Sequence, residues 1–236
     1  MTHDLNANTV DHAVAIAKGA LGSVPIAGPL LAELITTVVP RQRMDRMADF
    51  LRKLSEDLRT LDEAALRQKL SDENCTDLLE EGMLDAVRAV SEERRSYIAR
   101  LVSSSLTDEQ VSLVESRHLL RILGQINDIE VIWLRYYDYP LLNGDDEFRA
   151  KHAAVLEPVR ATFGAGLDVI DKEALQLNYV ERLISLGLLR RPLKVDTKTK
   201  MPVFDSSNRE WRAEGRRTTP LGKLLLRKIG IAASDV

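Results

Sequence analysis

Asn178-Tyr179-Val180-Glu181-Arg182-Leu183-Ile184-Ser185 reads as the end of a helix, closed by Leu186-Gly187-Leu188-Leu189. A basic segment punctuated by turn residues follows, and a last helix opens at Thr219-Pro220-Leu221-Gly222. Working back, the apolar positions Ile170, Ala174, Leu177, Val180, Leu183 and Ile184 form one face of a helix that starts near Asp168. Leu189–Val195 and Pro202–Trp211 alternate enough to be two strands. The order is therefore helix, two-stranded hairpin, helix.

That order is the one used by a winged helix-turn-helix, a scaffold that holds DNA or another protein. Opposite the apolar face of the first helix lie Lys172, Gln176, Tyr179 and Arg182, spaced by four, three and three. In a DNA-binding winged helix this face enters the major groove, where Lys, Arg and Gln read base edges. Glu173 and Glu181 flank it and would repel phosphate. Lys198 and Lys200 fall near the turn of the wing, and Arg209, Arg212, Arg216 and Arg217 line its return. Such residues hold phosphate and give affinity without sequence choice. The competing expectation is a winged module used for packing or dimerisation, its basic wing simply solvated.

Charge is unevenly spread. From Glu181 to Val236 there are thirteen Lys/Arg against six Asp/Glu, a local +7 in a chain of net −3, which leaves −10 for residues 1–180. A basic module on an acidic body suits a nucleic-acid grip. Lys and Arg along a wing also prevent edge-to-edge strand pairing, which would explain the same charge with no ligand.

The hydrophobic share of 44% and charged share of 29% in 236 residues are those of a soluble globular protein able to bury a real core. Aromatics at 5% argue against a β-sandwich or an aromatic-lined sugar site. Cys75 stands alone, so an internal disulfide is ruled out and a reducing compartment is expected. The start, Met1-Thr2-His3-Asp4, lacks the basic region and apolar core of a signal peptide. A bacterial cytoplasmic protein is the expectation.

Residues 9–39 are the apolar end, broken by Gly22, Pro25, Gly28 and Pro29 into pieces too short to span a bilayer alone. They read as a tight helical hairpin buried in a core or dimer interface; membrane association is the alternative. A charged amphipathic helix follows over Gln42–Arg59, its seam being Met44, Met47, Leu51, Leu54, Leu58 and Leu61. Asp62 caps a short helix over Glu63–Leu70, and Asp72 or Asn74 caps the next, with Leu78, Leu79, Met83, Leu84, Val87 and Val90 inward. Another begins near Ser91 and buries Tyr97, Ile98, Leu101 and Val102. Ser103-Ser104-Ser105 is the expected seam between modules. Beyond it, Thr107 with Gln110 and Asn127 with Glu130 are capping boxes, Pro140 ends a helix, and Asn143-Gly144-Asp145-Asp146 marks a turn. A helix over Glu147–Phe163 is expected next.

Val180-Glu181-Arg182-Leu183-Ile184-Ser185-Leu186-Gly187-Leu188-Leu189, with Thr219-Pro220-Leu221-Gly222-Lys223-Leu224-Leu225-Leu226 some thirty residues on, resembles the recognition-helix end and post-wing helix of MarR-like winged helices. The same pairing behind a helical, partly apolar N-terminal region resembles the Abi-alpha group of bacterial proteins associated with phage abortive infection. That resemblance implies a defence-associated protein whose winged part senses or docks, and it identifies no catalytic residue.

Catalytic signatures are missing from the sequence. His3, His12, His118 and His152 have no metal-ligand spacing, and no metal or other cofactor is expected. Arg149 with His152, and Asp196-Thr197-Lys198, are weak echoes of nuclease patterns, each better explained structurally; His118 reads as a partly buried structural residue. Cys75 near a helix start reads as a small packed hydrophobe. The fold expectation is mainly α: a helical bundle over 1–105 with the apolar N-terminal hairpin, then a helical middle and a winged helix with a small β-hairpin wing over 106–236. The functional expectation is a non-enzymatic bacterial binding or effector protein that docks or senses through its winged domain, in the setting of phage defence. DNA or a protein is its partner there, and the helical bundle supplies homo-oligomerisation. The alternative is a DNA-binding transcriptional regulator.

Overall fold

The computed structural model describes residues 43–60, 68–107, 111–138, 145–207 and 209–232. The apolar stretch 9–39, the Asp62 cap, Gln110 and Asn143-Gly144 lie outside the described residues. The chain is mainly helical with two small two-stranded sheets near its C-terminal end. It divides into two compact units, residues 1–125 with Lys228–Gly230, and residues 126–227 with 231–236. Among the described residues no helix is long and apolar enough to cross a membrane.

In the first unit, α1 (Met44–Asp57) buries Met47, Phe50, Leu51 and Leu54, the three- and four-residue steps of an amphipathic helix. α2 (Glu73–Arg88) opens on Asp72, whose carboxylate accepts from Asn74 N at 2.9 Å and satisfies a first-turn donor. α3 (Glu92–Thr107) opens on Ser91, whose Oγ accepts from Arg94 N at 3.1 Å. α2 and α3 meet tightly at Gly82, where a Cβ would lie 2.8 Å from Val102 Cγ2 and 3.7 Å from Phe50 Cζ of α1. Arg95 ties the loop to α1, donating to Asp49 at 2.6 Å and to the carbonyls of Ala89 and Val90. Burial would raise the Asp49 carboxyl, but hydrogen bonds from Arg95 and Arg52 and the charge of Lys53 outweigh it and hold it below the ordinary range. α4 (Leu113–Gln125) carries Arg117, which bridges Asp77 at 2.6 Å and Glu81 at 2.7 Å on α2.

Several expectations change here. Ser103-Ser104-Ser105 is not a seam but part of α3, close to its C-terminal end, with Ser103 and Ser105 buried and their hydroxyls returned to carbonyls one turn earlier. The division between units falls after Gln125 rather than at 105/106. Thr107 is the last residue of α3 rather than a cap; the box that opens α4 is Ser112 with Glu115, each donating its N–H to the other's side chain at 2.9 and 3.2 Å. Val90 is exposed because α2 stops at Arg88 and Ala89 turns extended.

The second unit begins with α5 (Asp128–Asp138), opened by the expected box: Asn127 N donates to Glu130 Oε2 at 2.7 Å and Glu130 N to Asn127 Oδ1 at 2.8 Å. The expected helix over Glu147–Phe163 is instead two short pieces, α6 (Asp146–Lys151) and α7 (Ala153–Leu156). They part at His152, and Pro158 is the reason that α7 stops, since it pushes Glu157 out of the helical region to ψ 119°. α8 (Leu167–Ser185) is the longest described helix, and four two-residue strands follow: β1 (Leu189–Arg190), β2 (Phe204–Asp205), β3 (Glu210–Trp211) and β4 (Arg217–Thr218). β1 pairs with β4 and β2 with β3, both antiparallel. α9 (Pro220–Lys228) ends the order.

Candidate binding site

The residues that close α8 and open α9 fit together as one joint. Gly187 sits at φ +71°, Leu188 N donates to Leu183 O and Gly187 N to Ile184 O, both at 2.9 Å, which is a Schellman closure with Leu183 and Leu188 buried beside it. Thr219 caps α9: its Oγ1 accepts from Gly222 N at 3.1 Å and lies 2.6 Å from Gly187 O, while its own N–H donates to Leu188 O at 3.0 Å. Pro220 occupies the first helical position, where a missing N–H costs nothing. Gly222 is required by contact, for a Cβ there would sit 2.4 Å from Leu188 O and 2.7 Å from Thr218 Cγ2. Each residue of Thr219-Pro220-Leu221-Gly222 other than Leu221 thus has a backbone reason.

The polar face of α8 is committed within its own unit. Gln176 Nε2 donates to Glu157 O at 2.7 Å and its Oε1 accepts from Val159 N at 3.0 Å. Glu173 accepts from Ala161 N at 3.2 Å. Arg182 stands 3.6 Å from Glu130, whose side chain is fully buried. Tyr179 is half-buried, and Lys172 alone of the four expected base-reading residues is exposed and takes no part in a hydrogen bond or ion pair among the described residues. The cause is the early end of α7: residues 157–161 are neither helix nor strand, and their backbone groups need the partners that Gln176 and Glu173 supply. Leu167, Ile170, Ala174, Leu175 and Leu177 are correspondingly exposed, with Ile170 at 44% and Leu177 at 49%. Only the C-terminal part of the expected apolar face is inward: Val180 and Leu183 are buried and Ile184 half-buried.

The wing is more folded than two strands. Lys194, Val203 and Arg212 form a closed triangle in which 194 N donates to 212 O, 203 N to 194 O and 212 N to 203 O, at 2.7, 2.9 and 2.9 Å. The expected single strand Pro202–Trp211 is therefore a hairpin, turned where Asp205 accepts from Ser207 N. Phe204 and Trp211 pair edge-to-face across it at 5.1 Å and stay half in solvent. Lys198 and Lys200 occupy the first wing turn and Arg209 the second; Lys200 and Arg209 both take positive φ. Arg212 is paired to Asp205 at 3.2 Å and Arg216 donates to Tyr137 Oη at 3.4 Å. Arg217 lies opposite Arg190 in the β1–β4 ladder.

The remaining candidates have structural duties. Asp196 accepts from the N–H groups of Lys198 and Thr199, both at 2.8 Å, and these bonds hold its carboxyl below the ordinary range. Arg149 lies over the Tyr136 ring at 4.7 Å and His152 packs on Phe148 at 4.6 Å. His118 is exposed on α4 rather than partly buried. Cys75 is fully buried in the first unit, and desolvation pushes its thiol up to about 11. Among the described residues no group of three His, Cys, Asp or Glu could hold a metal ion. Compared with protein-family models, with curated proteins and with solved structures, the chain matches none of them.

Proposed function

We propose that this chain is a non-catalytic bacterial binding protein whose C-terminal unit is a winged helix-turn-helix used for docking, with a protein partner held on the exposed stripe of α8. The order α8, β1 to β4, α9 and the joint built by Gly187 and Thr219 support the winged reading. The observation that carries docking is the stripe itself. Leu167, Ile170, Ala174 and Leu177 recur at three and four residues and stay in solvent, while the polar face is used internally. Clustered exposed apolar residues of this kind mark an interaction surface. Asp168 and Asp171 are exposed beside it, so the complementary partner surface is apolar with basic edges.

The resemblance to the Abi-alpha group supports phage defence as the setting, with harm to the cell on overexpression as the expected phenotype. Ile170→Ser with Leu177→Ser should relieve that harm while the helical circular dichroism and melting stay native. Undiminished harm from a well-folded double variant would refute docking through the stripe.

A DNA-binding regulator is the second reading, supported by the exposed cations at the two wing turns, Lys198, Lys200 and Arg209. Binding would then be of the backbone type, and each phosphate contact removed should lower the salt slope by about 1. An unchanged slope for Lys198→Glu with Lys200→Glu would remove it.

A further inference from the structure

Four cations converge on one cavity that neither the stripe nor the wing turns involve. It measures about 480 Å³, within the range of small-molecule sites, and belongs wholly to the second unit. Arg190 and Arg217 reach it as directly opposed residues of the antiparallel β1–β4 pair. Lys223 and Arg227 reach it from one face of α9, four residues apart. Like charges directly opposite across strands, and like charges four apart on a helix, each destabilise the fold that holds them. No carboxylate lies within ion-pair distance of Arg190, Arg217 or Arg227 among the described residues.

One carboxylate does line the cavity. Asp138, at the end of α5, has a side chain only 7% exposed, and its Oδ1 has no hydrogen-bond partner. Lys223 Nζ stands 3.9 Å from that oxygen, close enough for charge attraction and too far for a hydrogen bond. A buried acceptor without a donor is costly, and a phosphate oxygen cannot satisfy it. A hydroxyl or amino group can. Tyr137, beside Asp138 in sequence, adds an aromatic wall.

We propose that this cavity binds a nucleotide, its phosphates held by Arg190, Arg217, Lys223 and Arg227 and a ribose hydroxyl or base amino group donating to Asp138. Arginine and lysine on three elements give the charge-assisted bonds that a diphosphate needs. Asp138 lowers the net charge of the lining, which disfavours bare phosphate, and supplies the acceptor that separates a nucleotide from it. The inference stands apart from the α8 reading, because no residue is shared.

Calorimetric titration of the full chain with ADP, pyrophosphate and a short DNA duplex tests it. ADP should bind more tightly than pyrophosphate. Arg190→Glu and Arg227→Glu should each weaken ADP by about tenfold or more, and the milder Arg227→Ala serves if a reversal disturbs folding. Lys198→Glu at the wing turn should leave ADP binding within about twofold. Asp138→Ala should collapse the preference for ADP over pyrophosphate, because removing the acid helps both anions but removes the acceptor. Absence of ADP binding, equal weakening by Lys198→Glu, or binding of duplex alone would overturn the proposal.

Discussion

The two units use similar helices in opposite ways. In the first, α1, α2 and α3 turn their apolar residues on one another: Met47, Phe50, Leu51, Leu78, Met83, Leu101 and Val102 are all shut from water. In the second, α8 is the longest described helix, yet of its apolar residues only Val180 and Leu183 are buried. A helix whose core-facing stripe ends up in solvent gains little stability from that stripe. What the contrast teaches is that apolar periodicity alone does not tell whether a helix face is buried. The use made of the polar face does, and on α8 that face is taken by residues 157–161.

The contrast can be broken most forcefully by truncating one leucine on each side. Leu101→Ala in the first unit should cost about 2–5 kcal/mol in urea unfolding, through lost burial and the cavity left behind. Leu177→Ala on α8 should fall within about 0.5 kcal/mol of the native chain. Similar losses at both would mean that the stripe is covered.

Second in size is Gly222→Ala. A methyl aimed at Leu188 O must displace backbone, and the cost should be about 1–3 kcal/mol. Hydrogen exchange should report loosening around the Leu188–Thr219 joint. An Ala variant as stable as the parent would show that α9 can retreat from the joint freely.

Acid behaviour sharpens the contrast further. Asp49 is held below its ordinary 3.8 in the folded first unit, so its contribution is present above that pH and is lost as pH falls through the folded value. Glu81, held below 4.5 by Arg117 and Arg121 despite burial that would raise it, follows the same sign. Asp49→Asn should therefore cost about 1–2 kcal/mol at neutral pH and remove part of the acid-limb slope. An unaltered slope would mean that the Arg95–Asp49 pair does not survive in solution. The smallest effect belongs to Gln176→Ala, which should cost about 1 kcal/mol and free the backbone of residues 157–159 to exchange.

Much of the helical framework was legible because its signals are local. Asp72, Ser91 and the Asn127–Glu130 box mark helix starts through bonds made within three residues, and Gly187 and Thr219 mark the C-terminal joint in the same way. The Ser112–Glu115 box is equally local, but Thr107 with Gln110, a pattern of the same kind five residues earlier, competes with it in the sequence. Pro158 and the turn residues Asp205-Ser206-Ser207 carry the signals that stop the helix of 147–163 early and fold the strand of 202–211 back on itself. The candidate site was less legible. Whether Gln176 faces solvent or a loop depends on where α7 stops, which no periodicity on α8 records. Arg190 is remote in sequence from Lys223 and Arg227 and meets them only because β1 pairs with β4 beside α9.

Selection of the full chain against a randomised duplex DNA library tests most directly whether α8 reads bases. With Gln176, Glu173 and Arg182 engaged inside their own unit, no sequence should be enriched, and any retained DNA should be released indifferently by salt. Enrichment of a defined site, lost on Lys172→Ala, would contradict the proposed docking role of α8.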